Sequence, residues 1–230
     1  MMNNNYWEKF WNENDILGSE NLQNQIGRAI NKEPISEELW IKTLSYIFNT
    51  IEITRKDVVL DLCAGNGLIT LPLSEKVKRV VAVDVSKKLI STLNDNKKRN
   101  TTLIIENILK LECEENSFSK IIFYFAIQHF TEGEVIFLFK KVNSWLTKGG
   151  IFYIGDIPDI ERLFHFFNTK EREFAYFNSQ EKNTPIIGTW FNRRFMEKLA
   201  LYSGFSSIEI IKQPNYLINS HYRFDVKLIK

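Results

Sequence analysis

The sequence predicts one α/β domain built on a parallel sheet with helices on both faces, and three observations carry that reading. Short apolar runs alternate with amphipathic stretches between residues 57 and 156, the texture of repeated strand–helix–strand units. Glycines stand in the turn where the first of those runs gives way to a helix. The first fifty residues, by contrast, space their apolar side chains for helices. A chain of 230 residues is long enough for one sizeable core.

Composition narrows the function classes. Charged residues make up 25% of the chain and leave a net charge of only +2, too balanced to point to nucleic acid. Aromatic content is high, with eighteen Phe, and most of those rings belong to a core. Two cysteines, Cys63 and Cys113, show no CxxC spacing. They predict neither a disulfide framework nor a zinc site, and they suit a reducing compartment. The opening, Met1 to Asn5, is polar and no apolar signal core follows. The runs Ile121–Ile127 and Ile151–Ile154 are far shorter than a membrane span. A cytoplasmic protein without membrane partners is therefore expected. No His/Asp/Glu cluster has metal spacing, so no metal is predicted.

Along the chain, Tyr6, Trp7, Phe10 and Trp11 fall on one helical stripe. Ser36 starts a second helix, whose apolar face is Leu39, Trp40, Leu44, Ile47, Phe48 and Ile51. Strands are expected at Val58–Leu62, Arg79–Val83, Thr102–Glu106, Lys120–Phe125 and Gly150–Gly155. Helices between them are expected near Leu68–Glu75, Lys87–Lys98 and Glu132–Leu146. A helix near Arg193–Ser203 ends at Gly204, a C′ glycine, and the strands Ser207–Lys212 and Arg223–Ile229 follow. This gives a helical cap over 1–56, a core over 57–156, an insertion over 157–190 and a closing helix with two strands over 191–230. The insertion, rich in Phe and charge, predicts a helix and an irregular cover over the sheet.

The chemistry is concentrated at one turn. Val58-Val59-Leu60-Asp61-Leu62 is a buried strand ending near a carboxylate, and Gly65 and Gly67 precede the apolar helical run from Leu68. Glycines there let the backbone bend tightly and let a ligand approach the main chain. The next helix presents free N–H groups to that ligand. Seventeen residues past Gly67, a second strand ends in Asp84, an acid placed to accept both hydroxyls of a ribose. The plainer reading is that Asp84 caps the helix beginning near Ser86.

These segments resemble class I S-adenosylmethionine (SAM)-dependent methyltransferases. Val58–Leu73 resembles the family's first motif, an acid, two residues and then Gly-x-Gly, and Val80–Ser86 resembles the second, with its ribose acid. Glu106-Asn107-Ile108 sits where the family reads the adenine amine. Ser117–Ile122 resembles the entry to the fourth strand, Ala126–Phe130 its exit, and Leu146–Gly150 the Leu-x-x-Gly-Gly turn before strand five. Lys120 stands where the family usually has Asp, and Asn107 where Asp is commoner. The resemblance implies a Rossmann-like seven-stranded sheet, mostly parallel, with Arg223–Ile229 as an antiparallel strand. A dinucleotide-binding domain is the rival, but its third glycine would fall at position 70, where Thr70 stands.

The resemblance also implies a cofactor, SAM, leaving as S-adenosylhomocysteine (SAH). It would be held by Asp61, Cys63, Gly65, Gly67, Asp84, Val85, Asn107, Ile108 and Phe125, with Tyr6 and Arg28 reaching in from the cap. Arg28 is suited to the methionine carboxylate as a bidentate cation. Catalytic candidates belong at the ends of the fourth and fifth strands. His129 has the ordinary pKa of a general base, or else it bonds a loop carbonyl. Asp156 either orients or deprotonates the acceptor, or it stabilises the turn at Ile157-Pro158. Gln128, His165 and Trp190 are the substrate-side candidates, with His165 otherwise a surface residue.

The acceptor is less legible. Phe125-Ala126-Ile127-Gln128 replaces the Asn/Asp-Pro-Pro-Tyr of adenine-specific enzymes, which argues against nucleobase amines. The additions to the sheet are moderate in size, not basic, and lack an aromatic-basic stripe. A small molecule is expected, a sugar or related hydroxyl, as in bacterial methyltransferases that this sequence resembles. Methylation of RNA or protein, and a non-catalytic SAM-binding partner subunit, are the alternatives.

Overall fold

The computed structural model describes residues 6–13, 21–30 and 33–230; the polar opening Met1 to Asn5 and two short parts of the expected cap, 14–20 and 31–32, lie outside the described residues. Seven strands form one sheet: β3 (Val58–Leu62), β4 (Arg79–Asp84), β5 (Thr101–Ile105), β6 (Phe118–Tyr124), β7 (Leu146–Pro158), β8 (Ser207–Lys212) and β9 (Arg223–Ile229). Their order is β5-β4-β3-β6-β7-β9-β8. The first five run parallel, and β9 is antiparallel to both its neighbours. This is the mostly parallel, Rossmann-like seven-stranded sheet that the resemblance implies.

Alternation along each strand sends side chains to two faces. Leu60, Leu62, Ile121, Phe123, Phe152 and Ile154 pack on one side with the buried stripes of α6 (Glu132–Trp145) and α9 (Arg193–Tyr202). Val59, Val80, Ile122 and Tyr153 pack on the other with α3 (Glu37–Thr50), through Trp40, Leu44, Ile47 and Phe48. Beside them, α4 (Thr70–Ser74) and α5 (Lys87–Asn96) cover the β3–β4 side, with Leu73 and Leu93 fully buried. The helix starts are chemically capped. Ser36 accepts from Leu39 N, Ser86 from Leu89 N, and Thr131 forms a reciprocal capping box with Glu134.

Three features depart from the sequence reading. The cap is not all helix: between α2 (Leu22–Gln25) and α3 lies a small antiparallel pair, β1 (Ala29–Ile30) and β2 (Glu33–Pro34). The fifth core strand does not stop at Gly155. It continues to Pro158 because β9 keeps pairing with it beyond an irregularity between Ile154 and Ile157, where Asp156 adopts φ 65°. The insertion supplies α7 (Leu163–Phe166) and α8 (Lys170–Glu181), and α8 buries only Ser179.

Candidate functional site

The strand order reverses between β3 and β6, and a crevice opens beyond their C-terminal ends, the usual ligand position in such sheets. A cavity of about 1100 Å³, counting its open mouth, fills this crevice. Its floor is Asp61, Cys63, Gly65, Tyr124 and Phe125; its flanks are Asp84, Val85, Asn107 and Ile108 on one side and Arg28 and Trp40 on the other.

The turn after β3 is shaped by left-handed backbone at Cys63 (φ 58°), Gly65 (φ 57°) and Gly67 (φ 87°). A side chain at Gly67 would meet Leu93 Cδ1 at 2.3 Å, so this glycine lets the turn press onto α5. The same compact turn allows Asp84 to grip it. The Gly65 N–H donates to Asp84 Oδ2 and the Ser86 N–H to Oδ1, both at 2.8 Å. Burial pushes the Asp84 carboxyl up, and those two N–H groups pull it back. Thr70, buried at the start of α4, donates its hydroxyl to Asp61 Oδ2 at 2.6 Å. Burial lifts the Asp61 carboxyl to about 7, the Thr70 bond opposes that, and the Asp84 charge adds to it.

The N-terminal segments roof the cavity. Ser86 Oγ donates to Trp11 O at 2.7 Å and Lys87 N to Asn12 Oδ1 at 3.2 Å, which ties α1 (Tyr6–Glu13) to the loop after β4. At its other side α1 stacks on the loop after β6, with the Trp7 and Trp11 rings 4.2 and 5.6 Å from the His129 ring. Asn66 Nδ2 donates to Leu22 O and Gln25 Oε1 at 2.7 and 2.9 Å, anchoring α2 on the β3 turn. That anchor delivers Arg28, whose Nη1 lies 3.2 Å from Asp156 Oδ2 with both side chains 2% exposed. Its guanidinium lies against the rings of Trp40, Tyr124 and Phe125.

Four cavity-lining residues carry a buried polar atom without a hydrogen-bond partner among the described residues: Trp7 Nε1, Arg28 Nε, Tyr124 Oη and His129 Nδ1. Buried polar atoms are ordinarily satisfied, so the wall offers unused donors and acceptors. The His129 imidazole is pushed down to about 3, first by burial and then by the charge of Arg223. It is therefore neutral at physiological pH.

Similarity to known proteins coincides with this site. Residues 59–150 match a family model described as "Methyltransferase domain". Those residues carry a methyltransferase domain, and the fold is the one found in SAM-dependent methyltransferases. Ribosomal RNA small subunit methyltransferase A of Wigglesworthia glossinidia brevipalpis is 33% identical over 76 residues, 32% of this chain and 29% of that protein. A tRNA/tmRNA (uracil-C(5))-methyltransferase of Pseudomonas syringae pv. syringae is 39% identical over 67 residues, 27% of this chain and 18% of that one. The chain thus spans less than a third of the length of these curated relatives. Among solved structures, magnesium protoporphyrin IX methyltransferase from Synechocystis, with bound SAH, superposes with TM-score 0.65 at 12% identity, covering 99% of each chain. Phosphoethanolamine N-methyltransferase 2 of Haemonchus contortus gives 0.64 at 18% identity, over 83% of this chain and 52% of that one. At those identities the likeness is one of fold.

The cavity gathers Asp61, Cys63, Gly65, Asp84, Val85, Asn107, Ile108, Phe125 and His129 from the methyltransferase domain and Arg28 from the N-terminal segment. Gly67 lies behind the turn, and Tyr6 stands outside the lining, edge-on to Trp7 at 5.0 Å. The expectation for Asp156 at the acceptor needs correction. The bulge in β7 turns its carboxylate into the sheet, where it accepts from Arg28, Gln213 Nε2 and Asn219 Nδ2 and is 1% exposed. It holds Arg28 and does not line the cavity. Gln128 is likewise buried; its Nε2 donates to Phe125 O and its Oε1 accepts from Arg223. Trp190 packs with Phe166, Phe167 and Tyr222 in an aromatic cluster off the cavity. His165 is exposed on α7. Trp7 lines the cavity, in line with the reading in which the N-terminal aromatic helix closes over the cofactor, whereas Trp40 and Tyr124 line it without having been expected there. Only the Trp7 stripe was visible in the sequence, because the other two read as ordinary core positions.

Proposed function

We propose that this chain transfers the methyl group of SAM to a hydroxyl of a small molecule, a sugar or another specialised metabolite, in the cytoplasm. The roofed cavity carries the reading: α1 closes over the crevice with Trp7 and Trp11, which suits a compact acceptor better than a polymer. When bound, SAM supplies an electrophilic methyl on a sulfonium.

The residues present fit that cofactor. Asp84, with each carboxylate oxygen already held by one N–H, keeps acceptor capacity for ribose hydroxyls. Val85, Asn107 and Ile108 suit the adenine, and Arg28, with its Nε unused and its Nη1 fixed by Asp156, suits the methionine carboxylate. The Asp61 and Asp84 carboxylates favour a cationic ligand. His129, neutral on the cavity wall, would accept a hydrogen bond from the acceptor hydroxyl, orient it for in-line displacement and take up the proton released as the ether forms, passing it on to solvent, with the indoles shielding the reacting atoms.

The two RNA methyltransferases named above match less than a third of the chain, so they do not favour an RNA acceptor here. Titration calorimetry with SAH tests the cofactor, with one site per chain expected and a loss of at least about tenfold in Asp84→Ala. A panel of nucleotide-sugars and other hydroxylated metabolites, followed by SAH release, tests the acceptor. Turnover on ribosomal RNA with none on the panel would reject the small-molecule reading. SAH binding without turnover on any acceptor would leave a non-catalytic partner subunit.

A further inference from the structure

We propose that α8 is the contact through which a second copy of this chain docks, helix against helix, about a two-fold axis. The inference stands apart from the methyl-transfer reading. It starts from a helix that buries almost nothing: only Ser179 is covered, while Phe174 and Phe177 are 69% and 58% exposed. On the inner side Tyr176 packs against Phe167 at 4.9 Å and Phe164 at 6.3 Å, so the helix is seated on the domain and its outer side is left to solvent.

The outer side has a pattern. Lys170, Phe174, Phe177 and Glu181 recur at steps of four, three and four, one seam of a helix, and all four are exposed. The seam is self-complementary. Residues 170 and 181 are equidistant from the midpoint between 174 and 177. An antiparallel two-fold pairing therefore sets Phe174 of one copy on Phe177 of the second and Lys170 of one against Glu181 of the second. Such reciprocity is what an isologous interface requires.

The charges at the ends of the seam add to this. Lys170 stands in the first turn, whose Glu171 and Glu173 already suit the helix dipole, and Glu181 stands in the last turn. In the antiparallel pair each of the two meets its opposite charge on the second copy. A single helix face falls short of the roughly 800 Å² per partner of a standard interface, so the dimer depends on concentration.

Sedimentation velocity of the full chain over a concentration series decides this. A monomer–dimer equilibrium is expected, abolished in Phe174→Asp and weakened about tenfold in Lys170→Glu or Glu181→Lys alone. The double variant Lys170→Glu with Glu181→Lys should regain dimerisation. These positions face solvent, and circular dichroism will show that the variants fold. A chain that is monomeric at its highest soluble concentration overturns the proposal, as does a dimer indifferent to the charge swaps. A monomer that cosediments with anionic phospholipid vesicles through Phe174 and Phe177 assigns the face to a membrane and also overturns it.

Discussion

The Trp7 indole and the His129 imidazole lie 4.2 Å apart, centroid to centroid and tilted by 51°, and each carries a buried nitrogen without a partner among the described residues, Nε1 and Nδ1. The contact joins the N-terminal helix to the loop after the fourth core strand, so the roof of the cavity and the proposed acceptor-orienting group are one packing unit. Trp7→Ala removes the ring and opens that roof. SAH affinity should fall about tenfold, matching the usual loss for an aromatic anchor. Unchanged affinity by calorimetry would separate α1 from the cofactor.

The low pKa of His129, about 3, has a consequence for rate. A group that titrates there does not change charge between pH 5 and 9, so turnover at saturating SAM should show no limb near the ordinary histidine pKa of about 6.5. His129→Ala should lower turnover roughly 10- to 100-fold by losing the orienting acceptor. For stability the sign runs the other way from a paired histidine. The fold holds the neutral form, the unfolded chain binds the extra proton below about 6.5, and stability is lost as pH falls through that value toward 3. A melting-temperature series in acid, compared with His129→Phe, checks it.

Asp61 gives cofactor binding its own pH dependence. Its carboxyl titrates at about 7 in the ligand-free cavity, and a cationic ligand favours the ionised form. SAM affinity should therefore rise as pH increases through about 7 and level off above it. The ligand-free fold, which favours protonated Asp61, loses stability as pH rises from the carboxylate's ordinary range toward 7. Thr70→Val removes the 2.6 Å bond that partly offsets burial, so the midpoint should move higher. Calorimetry at several pH values reads both effects, and a flat profile would reject the assignment.

Gly188 tests how the insertion is coupled to the site. It adopts φ 112°, and a side chain there would meet Gln128 O at 2.1 Å, the same oxygen that accepts from Thr189 N. Gly188→Ala must push the insertion off the turn that carries Gln128 and His129. A loss of about 1–3 kcal/mol of stability is expected, with turnover reduced more than SAH binding. Denaturant unfolding and calorimetry together separate the two.

What the sequence disclosed follows the range of each interaction. Val58–Leu62 and Ser207–Lys212 were readable residue for residue, because strand patterning is local. The glycine turn and Asp84 were readable because a tight turn and an acid at a strand end have fixed spacing. Asp156 was not. Its carboxylate is oriented by Arg28, Gln213 and Asn219, the first of them 128 residues away, and the β7 bulge that buries it depends on pairing with β9. The small β1–β2 pair was missed because two-residue strands have no periodicity to detect.

The Arg28–Asp156 pair yields the last prediction. Both side chains are buried, and Asp156 is held further by Gln213 and Asn219, while Asp225 accepts from the Asp156 N–H, Tyr46, Tyr153 and Gln213. Removing one charge of a buried pair leaves the other uncompensated, at about 3–5 kcal/mol. Asp156→Asn should therefore destabilise the fold and free Arg28 from its fixed position, raising KM for SAM. Arg28→Met removes the cation outright and should also raise KM. The double variant, with neither charge buried, should recover much of the stability but none of the SAM affinity. That split is the decisive reading, because a purely structural pair would recover both together. Melting temperature against KM for the two single variants and the double variant measures it directly.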